Sequence, residues 1–195
     1  MPEPSLETHD DLGHREGLSH LEEEEEVMET QLEAKQGIHA ILLFRLLKEA
    51  SSEKAAKLAF QTEHEVGKSR DVDGQKTKDG IIQSVGALEY DFKATSILAK
   101  GDKLAAKLEE AMEKGELVEI WDIDSEKPDE DQSGKYPATY YQGYISSFSA
   151  KKNAEENIEI EMEFAINGVG QKGFATLTEE QKAAVQYKFK DTTAG

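Results

Sequence analysis

From Ile158 to Ile166 apolar and charged residues alternate: Ile158, Ile160, Met162, Phe164 and Ile166 recur at every second position, with Glu159, Glu161 and Glu163 between them. A period of two fits an extended strand, whose successive side chains point to opposite faces; a helix would scatter the same residues around its axis. One face of that strand must be buried, and the other carries a short carboxylate ladder. Leu88, Tyr90, Phe92 and Ala94 alternate in the same way with Glu89, Asp91, Lys93 and Thr95. So do Leu58, Phe60, Thr62, His64 and Val66 with Lys57, Ala59, Gln61, Glu63 and Glu65. Residues 41–47 and 117–123 are apolar on both sides, as expected of strands covered on both faces. Residues 136–148, rich in Tyr, Thr and Ser, also favour extended structure.

One helix interrupts these strands. Asp102 is placed to cap it, Leu104, Leu108, Ala111 and Met112 form its apolar stripe, and Gly115 supplies a left-handed stop. Thr178 and Gln181 form a capping box before a short terminal helix, and residues 185–189 read as a last strand. Residues 67–80 and 124–135 are polar, charged and glycine-containing; they read as loops, the first long enough to reach out of the domain. The fold class is therefore mainly β with one flanking α-helix.

Charge excludes several functions. With 41 Asp and Glu against 23 Lys and Arg, the formal net charge is −18, the wrong sign for a nucleic-acid clamp or a protein lying on an anionic membrane. No stretch approaches the ~20 apolar residues of a bilayer span, so no membrane is expected as a partner. The chain has no cysteine, which removes disulfide frameworks, thiol catalysis and cysteine-based zinc sites. No secretory signal pattern opens the sequence, and a reducing cytosol is the expected place of synthesis.

The charge is also unevenly placed. Residues 1–36 hold 12 acidic and two basic residues, a net of −10, with too few apolar residues for a core of their own. They read as an acidic N-terminal arm preceding a single domain at 37–195. Ser19 and Glu22 form a capping box, Leu21, Met28 and Leu32 recur at helical spacing, and Gly37 would stop the helix. The run from Glu22 to Glu26 weakens such a helix in isolation. A disordered or partly helical tail and an arm that docks on a neighbouring subunit both remain open.

No catalytic, cofactor-binding or metal motif survives inspection. Gly168, Gly170 and Gly173 spell G-x-G-x-x-G after a strand, but a dinucleotide fingerprint must open a helix and lead to a second parallel strand. Here residues 174–177 read as extended, and a glycine hairpin turn is expected. Asp122, Asp124, Glu126, Asp129, Glu130 and Asp131 crowd one loop, yet Lys127 and Ser133 stand where a helix-flanked calcium loop needs Gly and Glu. Asp71 to Gly74 fails the same test. His9, His14, His20 and His64 match no zinc spacing, and no serine lies in G-x-S-x-G. The residues by themselves describe a protein whose task is its shape, one that closes open strand edges by pairing with copies of itself.

The order of the segments resembles a known family. Residues 41–47 (ILLFRLL), 57–64 (KLAFQTEH), 68–71 (KSRD) and 77–80 (TKDG) are similar to the start of the major tail protein of long, flexible-tailed bacteriophages of the lactococcal and streptococcal type. Residues 94–97 (ATSI), 99–102 (AKGD), 138–144 (ATYYQGY) and 175–178 (ATLT) continue the likeness, which spans about residues 36–191 and leaves the arm outside. The resemblance implies a β-sandwich or barrel-like tail tube domain, six copies closing into a ring, and rings stacking into a hollow tube through which DNA passes to the host. It implies a structural, non-enzymatic virion protein without cofactors, assembled in the host cytoplasm, with tail measuring and terminator or initiator proteins as further partners.

Two surfaces follow as expectations. Glu159, Glu161, Glu163, Glu89 and Asp91 are candidates to line the bore, where they would repel phosphate; solvent outside the tube is the competing location. Residues 67–80, with Lys68, Arg70, Asp71, Asp73, Lys76 and Lys78, form a candidate inter-subunit loop. A tube subunit of a contractile injection or secretion system shares the architecture. A monomeric binding domain is the third reading and needs a groove that Trp121, Tyr136, Tyr140, Tyr141 and Tyr144 could line.

Overall fold

The chain divides into two compact units, Met1–Lys35 and Gln36–Gly195. The structure, a computed structural model, describes residues 34–132 and 134–183. The expected arm helix with its Ser19–Glu22 box and the expected strand at 185–189 lie outside those residues.

The domain is built as β1 (Ala40–Leu46), β2 (Gln61–Thr77), β3 (Gly80–Ile97), α1 (Lys103–Lys114), β4 (Val118–Asp124), β5 (Lys135–Lys151), β6 (Glu159–Ile166), β7 (Gln171–Thr176) and a short α2 (Glu179–Ala183). All seven strands join one antiparallel sheet in the order β1-β4-β5-β6-β3-β2, with β7 added to β5. The sheet curls on itself. Leu42, Phe44 and Leu46 of β1 and Val118 and Ile120 of β4 meet Phe92 and Ala94 of β3 and Ile160, Met162 and Phe164 of β6 in one core. Phe44 stacks on Phe164 at 5.8 Å across it.

Closure is helped at the free side of β1. Ala56 exchanges both backbone hydrogen bonds with Phe44 at 2.8 Å. The Gln61 amide does the same for Leu42, accepting its N–H at 2.9 Å and donating to its carbonyl at 2.6 Å. A side-chain amide thus stands in for a strand at an edge that would otherwise invite pairing.

The alternation in β6 and in the second half of β3 holds as the sequence leads one to expect: Ile160, Met162 and Phe164 are buried, as are Phe92, Ala94 and Ser96. The strands apolar on both sides are covered on both. While the even positions of β1 enter the main core, Ile41 and Leu43 join Ile123, Tyr136 and Leu177 in a second cluster on the opposite face. Helix α1 is capped by the Asp102 carboxylate, which accepts from Leu104 N–H at 2.9 Å and Ala105 N–H at 3.2 Å, and it ends at left-handed Gly115. Leu108 and Ala111 are buried together with Ala105; Met112, expected in that stripe, stays at the surface. Thr178 and Gln181 form the expected box: Thr178 N–H donates to the Gln181 side chain at 2.7 Å, and Gln181 N–H to the Thr178 hydroxyl at 3.3 Å.

Three expectations are corrected. Residues 67–80 are not a loop: they continue β2 to Thr77, turn at Lys78–Asp79 and enter β3 at Gly80. The strand expected from Leu58 starts only at Gln61, because Phe60 takes a left-handed φ of 53° and turns its side chain outward. The glycines at 168–173 make no hairpin. β6 and β7 run in the same direction along one edge of β5, β6 against Gly143–Lys151 and β7 against Lys135–Tyr140. Residues 167–170 are therefore a break in one long strand. Gly170 is required there, since a Cβ would lie 2.3 Å from the Tyr141 ring, while its N–H donates to the Tyr90 hydroxyl at 2.9 Å. Gly170→Ala must push Tyr141 out of the core and is expected to cost about 1–3 kcal/mol. Thermal unfolding should show it as a loss of roughly 2–4 °C per kcal/mol; an unchanged midpoint would contradict the packing described.

Candidate functional site

Strand register places the acidic residues. Glu65, Lys93, Glu163 and Ser147 form one rung across β2, β3, β6 and β5; Glu63, Thr95, Glu161 and Ser149 form the next; Ile97, Glu159 and Lys151 follow. Asp91 opposite Gly67 and Glu89 opposite Ser69 extend the same face. The candidate bore residues Glu159, Glu161 and Glu163 thus lie together on the solvent side of a four-stranded stretch whose other side is the core, and Asp91 and Glu89 continue that face where β3 pairs with β2 alone. The sequence reading missed Glu63 and Glu65, although they occupy the polar positions of an alternating strand.

Seven carboxylates share this face with two lysines, and both lysines are engaged. Lys93 lies 3.3 Å from Asp91 and 3.9 Å from Glu163. The hydrogen bond to Asp91, with Glu163 and Glu65 behind it, holds its ammonium above the ordinary lysine range. Lys151 lies 3.1 Å from Glu159 and 3.7 Å from Glu161 and is raised in the same way, chiefly by Glu159. The rest of the negative charge on this face has no ion-pair partner among the described residues.

The second feature is a two-stranded ribbon. Every residue from 71 to 87 is exposed. Rungs run from Val72–Val85 through Gln75–Ile82 and Lys76–Ile81 to Thr77–Gly80, where the Thr77 hydroxyl donates to the Gly80 carbonyl at 2.9 Å. Val72, Ile81, Ile82 and Val85 are left open to water, although an isolated hairpin is only marginally stable. Of the candidate contact residues, Lys68 lies over the Tyr90 ring at 5.9 Å and Arg70 donates to the Gly86 carbonyl at 2.8 Å. Asp71, Asp73 and Lys76 stand farther out on β2, and Lys78 lies in the turn.

Both ends of the four-stranded stretch are open. Among the described residues β2 has no partner on its outer side, and β5 pairs with β4 only as far as Gly143. Of the aromatic residues of the binding-domain reading, Trp121 and Tyr140 line a small depression of about 160 Å³ with Phe174, and the other three do not join it. Tyr136 and Tyr141 are buried, Trp121 packs on Tyr140 at 5.2 Å, and Tyr144 stands exposed by itself.

A family model described as phage tail tube protein matches residues 34–172, a span that contains both the acidic face and the ribbon. The chain belongs to the phage tail tube protein family. A tail protein of Staphylococcus phage phiMR25 is 34% identical over 157 residues, covering 78% of this chain and 80% of that protein. The tail tube protein gp17.1* of Bacillus phage SPP1 is 27% identical over 139 residues, 71% of this chain and 52% of its own length. The SPP1 tail tube structure superposes with a TM-score of 0.67 at 20% identity, covering 83% of this chain and 95% of that one. The tail of a gene transfer agent particle follows at 0.55 and 12% identity, with 71% and 98% covered. This tail tube protein is thus a structural component of the virion, and its curled sheet is the fold those tube structures share. Residues 1–33 fall outside the family match.

Proposed function

We propose that six copies of this chain close into a ring with the β5-β6-β3-β2 face turned inward, and that rings stack into the tail tube through which DNA leaves the particle. The observation that carries this reading is the four-stranded face with its excess of carboxylates and two open edges of different kind. Different edges favour head-to-tail pairing, which closes rings, over a two-fold dimer. The gene transfer agent tail was refined with C6 symmetry; the same symmetry here gives a sheet of about 24 strands. At ~4.8 Å spacing and a tilt near 40° its backbone diameter is roughly 50 Å, which leaves room for duplex DNA. A wall of carboxylates repels phosphate and gives the duplex nothing to grip. The subunit acts without a cofactor or catalytic step, is assembled in the host cytoplasm, and meets a tail measuring protein and terminator or initiator proteins at the ends of its stack.

The baseplate protein of an anti-feeding prophage shares the fold at a TM-score of 0.51 and 4% identity. The phage family match and the phage relatives favour a phage tail over a contractile injection system. The bore assignment is tested with Glu161→Lys. Tubes of this variant should retain DNA at about 50 mM salt and release it by about 200 mM, the dependence expected of phosphate contacts, while the parent retains none. Equal behaviour of the two would take the acidic face out of the bore.

A further inference from the structure

We propose that the cleft at the start of β2, framed by Ile38 and Phe60, is the socket that receives the ribbon tip of a second copy in the next ring. This rests on the tube reading above and adds the receiving surface. Phe60 is the one non-glycine residue with positive φ among the described residues, at 53°, a conformation unfavourable for an ordinary side chain. Its carbonyl accepts Ile97 N–H at 3.0 Å, which fixes the backbone, yet its ring is 67% exposed. Ile38 is exposed beside it, and Ile41, Lys57, Glu63 and His64 complete a cleft of about 610 Å³.

Plug and socket lie at opposite ends of one strand. Phe60 precedes the first residue of β2 and the turn follows the last, 17 residues on, a span of roughly 55 Å. A tip cannot reach its own cleft, but copies stacked in the same orientation bring the tip of one to the cleft of the next, as an open head-to-tail array requires. The chemistry is complementary. The tip offers Ile81 and Ile82, the latter 63% exposed, with Lys76 and Lys78, which hold no ion pair among the described residues. The cleft offers Ile38 and Phe60 with Glu63 and Lys57, placed to face a tip lysine and the turn carboxylate Asp79; neither Glu63 nor Lys57 holds an ion pair among the described residues.

The absence of cysteine makes the test clean. Phe60→Cys and Ile82→Cys, both at exposed positions, are combined in one full-length chain, and its tubes are treated with a short bifunctional thiol reagent. The tubes come from the purified chain or from particles produced in cells. A ladder of covalent dimers, trimers and longer species is expected, with each single variant remaining monomeric on the same gel. Intact tubes without a ladder would overturn the socket and leave the tube reading standing. Failure of the unsubstituted chain to form tubes from either source would overturn both. Crosslinking of Phe60→Cys to Leu18→Cys instead, with Ile82→Cys unreactive, would give the cleft to the N-terminal arm and also overturn the proposal.

Discussion

Replacing residues 71–87 with an Asn-Gly turn is expected to yield a folded protein that forms rings and no tubes. The Arg70–Leu88 rung is the last one at the root of the ribbon, and Asn-Gly suits a two-residue hairpin turn joining two such strands. Every residue removed is exposed, so the core is untouched and stability should change by about 1 kcal/mol or less. The removed ribbon also carries Val72, Ile81, Ile82 and Val85, whose exposure has no explanation in an isolated subunit. Mass by light scattering with negative-stain images of the same sample reads the outcome. Tubes of normal length would remove the ribbon from the stacking contact; an unfolded product would show that it supports the domain instead.

The second large effect concerns stability. Arg45 Nε donates to Glu119 at 2.6 Å, and the Tyr140 hydroxyl donates to the other Glu119 oxygen at 2.7 Å. Glu119 is one of two buried polar or charged residues among those described. Arg45 also donates to the carbonyls of Ala50 and Glu53 and lies 5.1 Å from the centre of the Trp121 ring. Arg45→Ala therefore leaves a buried carboxylate with a single neutral partner and frees the turn after β1. A loss of about 3 kcal/mol is expected, or roughly 6–12 °C in the unfolding midpoint. The double variant Arg45→Met, Glu119→Leu should recover most of it, because two apolar side chains leave no unpaired charge. Denaturant unfolding of the three proteins decides the point; a loss below about 1 kcal/mol for Arg45→Ala would mean that water reaches Glu119.

What could be read from the chain follows from where water is excluded. Strand β6 and the second half of β3 separate core from solvent, so burial wrote a period of two into their residues. Helix α1 announced itself through Asp102 and Gly115, whose roles are local. The outer half of β2 was misread because residues 71–77 have solvent on both sides; with no inside, there is no alternation to detect. Its composition of glycine, lysine and aspartate then resembles a loop. Phe60 interrupts the alternation expected from Leu58, since its left-handed backbone turns the side chain outward; the register shift between Gln61 and Glu63 restores it, so His64 and Val66 face inward and Glu63 and Glu65 outward as the pattern had them. Gly168 to Gly173 misled for a non-local reason: whether a glycine stretch reverses the chain or lets it run on depends on which edge of β5 receives β7, and no local pattern encodes that. The acidic face was half legible. Glu159, Glu161 and Glu163 were visible as a ladder, but their union with Glu63, Glu65, Glu89 and Asp91 is a product of register.

A helical reconstruction of tubes formed by this chain tests the central claim most directly. The account predicts sixfold rings whose bore is lined by the β5-β6-β3-β2 face, with Glu161 and Glu163 pointing inward and successive rings joined through the ribbon. Tubes in which that face lies on the outer wall, or in which the bore is lined by β1 and β4, would contradict it.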